Sequence, residues 1–221
     1  EMKGDKAGAA SVIAAICGIA RLNLKINVTA LAPCTENMPD GAALKPGDIL
    51  KALNGKTMEI ISTDAEGRLI LADALCYAVR YNPAAVIDLA TLTGAVKVAL
   101  GKHAAGMFCN DERLAKRLTA AADATSERVW PLPLWAEYEE QIKSDSADVK
   151  NTGGRSAGAI TAAKFLQTFA EDMHWAHLDI AGTGWIESGP DSPKKGYLPM
   201  GASGYGVRLL VRMVRDWNGS S

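Results

Sequence analysis

The chain alternates between short apolar runs and segments of helical spacing, and this rhythm constrains the fold more than any other feature. "AAVIDLA" (84–90), "AAGMFCN" (104–110) and "WAHLDIAG" (175–182) are apolar and too short for helices. None alternates strictly between apolar and polar residues, so each is expected as a strand buried on both faces. Helices are expected at 7–21, from Leu69 to Tyr81, at 111–125, through about Ala170 after a Gly-rich turn at 151–160, and at 206–217. Strands interleaved with helices imply a parallel sheet covered on both sides. The expected class is α/β: a three-layer αβα domain around a mostly parallel mixed sheet. No repeat, low-complexity stretch or linker divides the chain, so residues 1–221 read as one domain.

Finer expectations follow from local composition. The run 7–21, "AGAASVIAAICGIAR", is apolar on nearly every face and reads as a helix buried between layers. "KINVTALAP" (25–33) is rich in β-branched residues and reads as a buried strand. Residues 34–47 form a long loop by their Pro, Gly, Asn and Asp content. Residues 48–61 read as two short strands joined by Asn54-Gly55, a strong hairpin signal. Residues 129–134 read as extended, "WAEYEEQIK" as a short amphipathic helix, and 186–196 as a surface loop.

Composition excludes several function classes. The chain is 48% hydrophobic and 22% charged, enough for a sizeable core. A net charge of −1 and no long basic run argue against nucleic acid or an anionic membrane surface as partner. No apolar run reaches the roughly 18–20 residues of a spanning helix. Cys17, Cys34, Cys76 and Cys109 are widely spaced, with no C-x-x-C, and read as reduced core thiols of a cytoplasmic protein.

The chemistry concentrates in "STDAEGR" (62–68). Asp64 and Glu66 lie two residues apart on an extended segment and so point the same way. Two carboxylates that close repel unless a cation lies between them, and divalent metals bind such oxygen clusters. Asp5, in "KGDKAGA", is a third acid placed where a helix begins. The residues also fit a plainer reading, in which Thr63, Asp64 and Asp5 are helix caps and Arg68 is an ion-paired surface residue. In doubly covered sheets ligands bind beyond the carboxyl ends of strands, where "STDAEGR" and "TLTGA" (91–95) are both expected. No His among His103, His174 and His177 has a second His or a Cys at zinc-ligand spacing, and His103 and His177 read as hydrogen-bonded structural residues.

The heptapeptide resembles "NTDAEGR", the signature of the leucyl aminopeptidase family, with Ser62 in the first place. "MKGDKAGAA", "PCTENMPDG", "KPGDIL", "AAVIDLATLTGA", "ALGKHAAGMF", "WPLPLWAEY", "GGRSAGAITAAKFL" and "WAHLDIAGT" are similar to further blocks of that family's catalytic domain, in order. The resemblance implies a metal-dependent aminopeptidase that releases leucine-like N-terminal residues from peptides, using two divalent ions (Zn or Mn, with Mg or Co as substitutes). It implies Asp5, Asp64 and Glu66 as metal ligands, Glu66 bridging both ions and Asp64 adding a main-chain oxygen. It implies Arg68 as the catalytic arginine, holding a bicarbonate that acts as general base. Thr91, Leu92 and Gly94 would offer main-chain groups to the substrate, and Met2 and Ala181 would line the pocket for its first side chain. Family members are cytoplasmic homohexamers, and an apolar loop such as "IAGTGWI" (180–186) would suit a subunit contact.

The family's pattern begins further upstream, with a Lys and an Asp in an "F-D-[ST]-G-G" block and a second Lys shortly after. The resemblance therefore implies a catalytic domain truncated at its N-terminal edge, without the family's amino-terminal domain. The alternative is an inactive assembly or binding fragment of the same enzyme.

Overall fold

The structure is a computed structural model that describes residues 2–193 and 196–217. A 3-10 turn, Met2–Lys6, runs directly into α1 (Ala7–Arg21). The strands β1 (Ile49–Lys51) and β2 (Thr57–Glu59) form the expected hairpin, antiparallel, with Leu50 opposite Met58. Gly55 sits in its turn at φ +90°, a conformation open to glycine and strained for other residues. There follow α2 (Gly67–Ala78), β3 (Val86–Ala90), α3 (Gly94–Leu100), β4 (Ala105–Cys109), α4 (Glu112–Thr125), β5 (Val129–Pro131), β6 (Val149–Lys150), α5 (Gly158–Ala170), β7 (Trp175–Asp179), β8 (Trp185–Ile186), β9 (Gly201–Ala202) and α6 (Val207–Arg215).

The main sheet has the order β3-β7-β4-β5. β3 pairs parallel with β7 and β4 parallel with β5, while β4 and β7 run antiparallel. It is thus mixed and mostly parallel, as the alternation of elements implies. β2 also pairs in parallel with β6, giving a second sheet of order β1-β2-β6.

Successive residues of a strand face opposite sides, and this builds the three layers. Phe108 and Trp175 pack into one cluster with Leu69, Ala72 and Leu75 of α2 and Phe165, Leu166 and Phe169 of α5. Their neighbours Met107, Ala176 and Leu178 pack into the other, with Leu114 and Leu118 of α4, Ala15 of α1 and Leu209, Leu210 and Met213 of α6.

Several local expectations are corrected. α1 is not buried all round: Gly8, Ser11, Ala15 and Ile19 form one buried stripe, and Ile13 is 52% exposed. Only one face of the helix meets β3 and α6, whatever its outer face is made of. At that contact the chains approach so closely that a Cβ on Gly8 would lie 2.0 Å from the Leu89 carbonyl oxygen. Residues 25–33 form no strand and are largely exposed. β-branched residues favour a strand only where a neighbouring strand accepts the ladder. The four cysteines are free, but Cys17 and Cys34 are exposed and the other two half-buried, so they are not core thiols. "WAEYEEQIK" coils as a 3-10 helix, Ala136–Ile142, with Ile142 buried. The 180–186 loop buries Ile180, Thr183 and Ile186 within the chain itself, while Ala181 and Trp185 stay partly exposed. Residues 187–193 and 196 form a surface loop as expected, and Lys194 and Lys195 lie outside the described residues.

Candidate functional site

β3 and β7 run in parallel and end side by side, Ala90 opposite Asp179. The segments that leave them, Thr91–Gly94 and Ile180–Ala181, therefore emerge together at the carboxyl edge of the main sheet. Asp179 ties them. Its Oδ1 accepts from the main-chain N–H groups of Leu92 (3.1 Å), Thr93 (3.4 Å) and Ala181 (3.2 Å), and its Oδ2 accepts from the Thr93 hydroxyl (2.6 Å). Burial pushes the Asp179 carboxyl above the usual range, while His177 and these donors pull it back. Thr93 also accepts from the Val96 N–H at 3.1 Å and so caps α3. The "TLTGA" turn is both a helix start and an edge of the site. The Leu92 N–H is spent on Asp179, so the carbonyl is what Leu92 can offer a ligand, and Gly94 is exposed.

Asp5 lies on the 3-10 turn and accepts the Thr91 hydroxyl at 2.8 Å. It does not cap α1, which has no side-chain cap. The link draws Asp5 to the end of β3, and Met2, on the same turn, is 61% exposed.

"STDAEGR" follows β2 and leads into α2, so it leaves the smaller sheet rather than the main one. Neither Thr63 nor Asp64 caps α2, whose first residue is preceded by Glu66 without a side-chain cap. The plainer reading of these acids as caps therefore fails. What holds the loop is Asn151, fully buried after β6. Its Oδ1 accepts from the N–H groups of Ile61 (2.8 Å) and Ser62 (3.2 Å). Its Nδ2 donates to the carbonyls of Ser62 (2.7 Å) and Ala65 (3.3 Å). Its own carbonyl accepts from Arg68 Nη1 at 2.9 Å. One side chain thus satisfies the irregular backbone on which Asp64, Glu66 and Arg68 are mounted.

Arg68 is 93% buried by the complement of its 7% exposure, not on the surface. Burial lowers its pKa to about 10, against the pull of Asp179 and Glu66, so it is charged at neutral pH. Asp64 is exposed and Glu66 half-buried, and neither carboxylate takes part in a hydrogen bond or ion pair among the described residues. Free oxygen donors of this kind suit a hard divalent cation. Among the described residues, however, no group of three His, Cys, Asp or Glu side chains comes together as a metal shell. Asp64 and Glu66 offer oxygen donors from one loop, and Asp5 offers another from the 3-10 turn at the end of β3.

Beneath Arg68 lies a buried polar chain. His177 Nδ1 is 2.5 Å from Asp88 Oδ1, and Trp175 Nε1 donates to Asp88 Oδ2 at 2.7 Å. Burial disfavours a charged ring at His177, but the Asp88 carboxylate outweighs it and raises the pKa. His177 is hydrogen-bonded, as the sequence implies. His174 pairs with Asp111 at 3.0 Å. Asn151, Asp179 and Asp88 went unread in the sequence. The available signal was an acid inside each of two apolar strands, Asp88 and Asp179, where a charge needs a partner.

A mixed main sheet, beside a smaller sheet from which a clamped acid-and-arginine loop departs, makes this an α/β domain. Residues 1–211 match the cytosol aminopeptidase family, catalytic domain, and the chain belongs to that family. It is 58% identical over 216 residues to a probable cytosol aminopeptidase of Roseiflexus castenholzii, covering 98% of this chain and 43% of that protein. It is 56% identical over 214 residues to one of Geobacter sulfurreducens, covering 97% and 42%. The chain spans a little over two fifths of the length of these relatives. Among solved structures it resembles the bottromycin maturation enzyme BotP, at 39% identity and a TM-score of 0.87, over 96% of this chain and 47% of that one. A BotP complex with Mn is similar at 0.85 and 40% identity, covering 95% and 46%. A tomato leucine aminopeptidase mutant, K354E, matches at 0.83 and 42%, covering 94% and 40%.

Proposed function

We propose that this chain belongs to the catalytic domain of a metal-dependent aminopeptidase that removes leucine-like residues from the N-termini of peptides. The observation that carries the reading is the Asn151 clamp, which presents two unpaired carboxylates and one buried guanidinium from a single seven-residue loop. Asp5, Asp64 and Glu66 would hold part of the shells of two divalent ions, of which Mn has a precedent in the BotP complex and Zn is the other candidate. When bound, such ions lower the pKa of a shared water and polarise the scissile carbonyl.

The chain's own residues orient and exchange. Arg68 keeps its charge and would hold a small planar anion such as bicarbonate, which would supply a general base there. Thr91, Leu92 and Gly94 frame the substrate backbone at the end of β3, with the Leu92 carbonyl available and its N–H committed. Ala181 and Met2 flank the first side chain, and an exposed methionine makes a tolerant apolar wall.

A cytoplasmic setting fits the relatives' description as cytosol aminopeptidases, and no helix among the described residues is long and apolar enough to cross a membrane. Exposed apolar side chains at Met38, Leu44, Ile49 and Leu53 support self-association, a hexamer by the family resemblance. Leucine-amide hydrolysis with added Mn²⁺ tests the proposal, run on this chain and on one extended to the relatives' length. We expect turnover by the longer chain and little by this one, since a partial shell holds ions weakly. No turnover by the longer chain overturns the activity and favours the assembly fragment.

A further inference from the structure

Asp179 is only 1% exposed, yet among the described residues its carboxylate bonds to no cation. A buried carboxyl group is costly unless hydrogen bonds satisfy it. Here four do, and they divide between two segments. Ala181 is two residues on in the same segment, while Leu92 and Thr93 are 87 and 86 residues away in the chain. One side chain therefore cross-links the segments that leave β3 and β7.

The directions of these bonds fix more than the contact. The peptides are trans, so each carbonyl points opposite to the N–H that follows it. The Thr93 N–H points to Asp179 Oδ1, so the Leu92 carbonyl points away from Asp179. The Ala181 N–H turns the Ile180 carbonyl away in the same manner. That carbonyl is anchored in turn by the N–H groups of Thr183 (3.0 Å) and Gly184 (2.7 Å). The segment after β3 also touches the acids and the arginine. The Thr91 hydroxyl donates to Asp5, and a Cβ on Gly67, the neighbour of Arg68, would lie 3.8 Å from Leu92 Cδ1.

We propose that Asp179 is a positioning residue for the substrate. By gathering the N–H groups of Leu92, Thr93 and Ala181 on one oxygen, it aims the Leu92 carbonyl. It also sets the separation between the segment that frames the substrate backbone and Ala181, which flanks the first side chain. The role rests on the proposed function, which gives those segments a substrate. It needs an acceptor at one place and does not need a charge there.

Two variants separate place from charge, in the chain extended to the relatives' length, with leucine amide and alanine amide as substrates. Asp179→Asn keeps a carbonyl oxygen for the three N–H groups and gives up the charge. Asp179→Glu keeps the charge and carries the acceptor one methylene further out. Asp179→Glu should lower kcat/KM for leucine amide about 100-fold, as a displacement of about 1 Å can, with KM rising about tenfold. Its preference for leucine amide over alanine amide should shrink about tenfold, because Ala181 moves too. Asp179→Asn should stay within about threefold of the parent in both respects.

A merely structural part would lower the folded fraction, and with it kcat for both amides in step, leaving KM and preference unmoved. Parental KM and preference in Asp179→Glu therefore overturn the proposal. So does a larger change of KM in Asp179→Asn than in Asp179→Glu, since charge would then be what matters. If circular dichroism shows Asp179→Glu unfolded, Thr93→Val takes its place. It keeps the side-chain shape and loses the hydroxyl bond to Oδ2 and the cap on Val96. Its KM should rise about threefold, with Thr93→Ser at the parental value. Parental KM in Thr93→Val overturns the proposal. A parent chain without turnover overturns the proposed function and this role with it, whereas an active parent whose KM the variants share overturns this role alone.

Discussion

The carbonyl of Asn151 accepts a hydrogen bond of 2.9 Å from Arg68 Nη1, across 83 residues of chain. The same residue's amide fills four further bonds to residues 61–65. Asn151→Ala strips all four at a fully buried position and leaves main-chain donors and acceptors orphaned. The expected loss is about 2–4 kcal/mol of unfolding free energy, read from the urea midpoint. A loss under about 0.5 kcal/mol would mean that water replaces the amide and the clamp is incidental.

Arg68 is expected to act on turnover and not on metal content. In the extended chain, Arg68→Ala should lower kcat by about 10²–10³, the usual effect of removing one preorganised electrostatic contact. Bound metal, by elemental analysis, should stay at the parent's level. Parental turnover in that variant removes Arg68 from the mechanism.

Glu66 should behave in the opposite way. Its carboxylate makes no hydrogen bond or ion pair among the described residues, and the proposed function has it bind both cations. On that proposal Glu66→Ala would remove a ligand common to both cations, so calorimetric titration with Mn²⁺ should show weakened binding together with lost activity. Two ions bound at unchanged affinity would rule out the bridge.

Gly8 should tolerate no side chain. A Cβ there meets the Leu89 carbonyl oxygen at 2.0 Å, which is backbone and cannot swing aside. Gly8→Ala should cost about 2–3 kcal/mol and lower Tm by about 5–10 °C. Gly41→Ala, with nothing within 4 Å of the new carbon, is the matched control and should leave Tm unchanged.

Acid should destabilise the fold through particular carboxylates. Asp148 accepts from the Thr57 N–H (2.7 Å) and hydroxyl (2.8 Å), and Asp111 accepts from the Leu114 N–H (2.7 Å). These donors hold both below the usual carboxylate range. A depressed folded pKa adds stability that is present above the unfolded value, near 4, and is lost as pH falls through the folded one. Denaturation followed from pH 5 to pH 2 should show that loss, and Asp148→Asn should make the decline shallower. An unaltered slope would show that Asp148 carries none of it.

The sequence by itself determined the elements with strong periodicity or unambiguous turn chemistry. The three apolar strands around Asp88, Phe108 and His177, the Asn54-Gly55 hairpin and the helix beginning beside Arg68 all lie where local pattern puts them, because side-chain period and turn preference are short-range properties. It also determined the family, through a motif whose residues are contiguous. Only the tertiary structure decided which face of α1 is buried, since Gly8, Ser11, Ala15 and Ile19 differ little in character from their exposed neighbours. It likewise decided that residues 25–33 pair with nothing, because a strand needs a partner that composition cannot supply. The support of the site was equally hidden: Asn151 lies 83 residues from Arg68, and His177 lies 89 from Asp88. A buried hydrogen bond between distant residues costs no local signature, and it exists only once the two layers have closed around it.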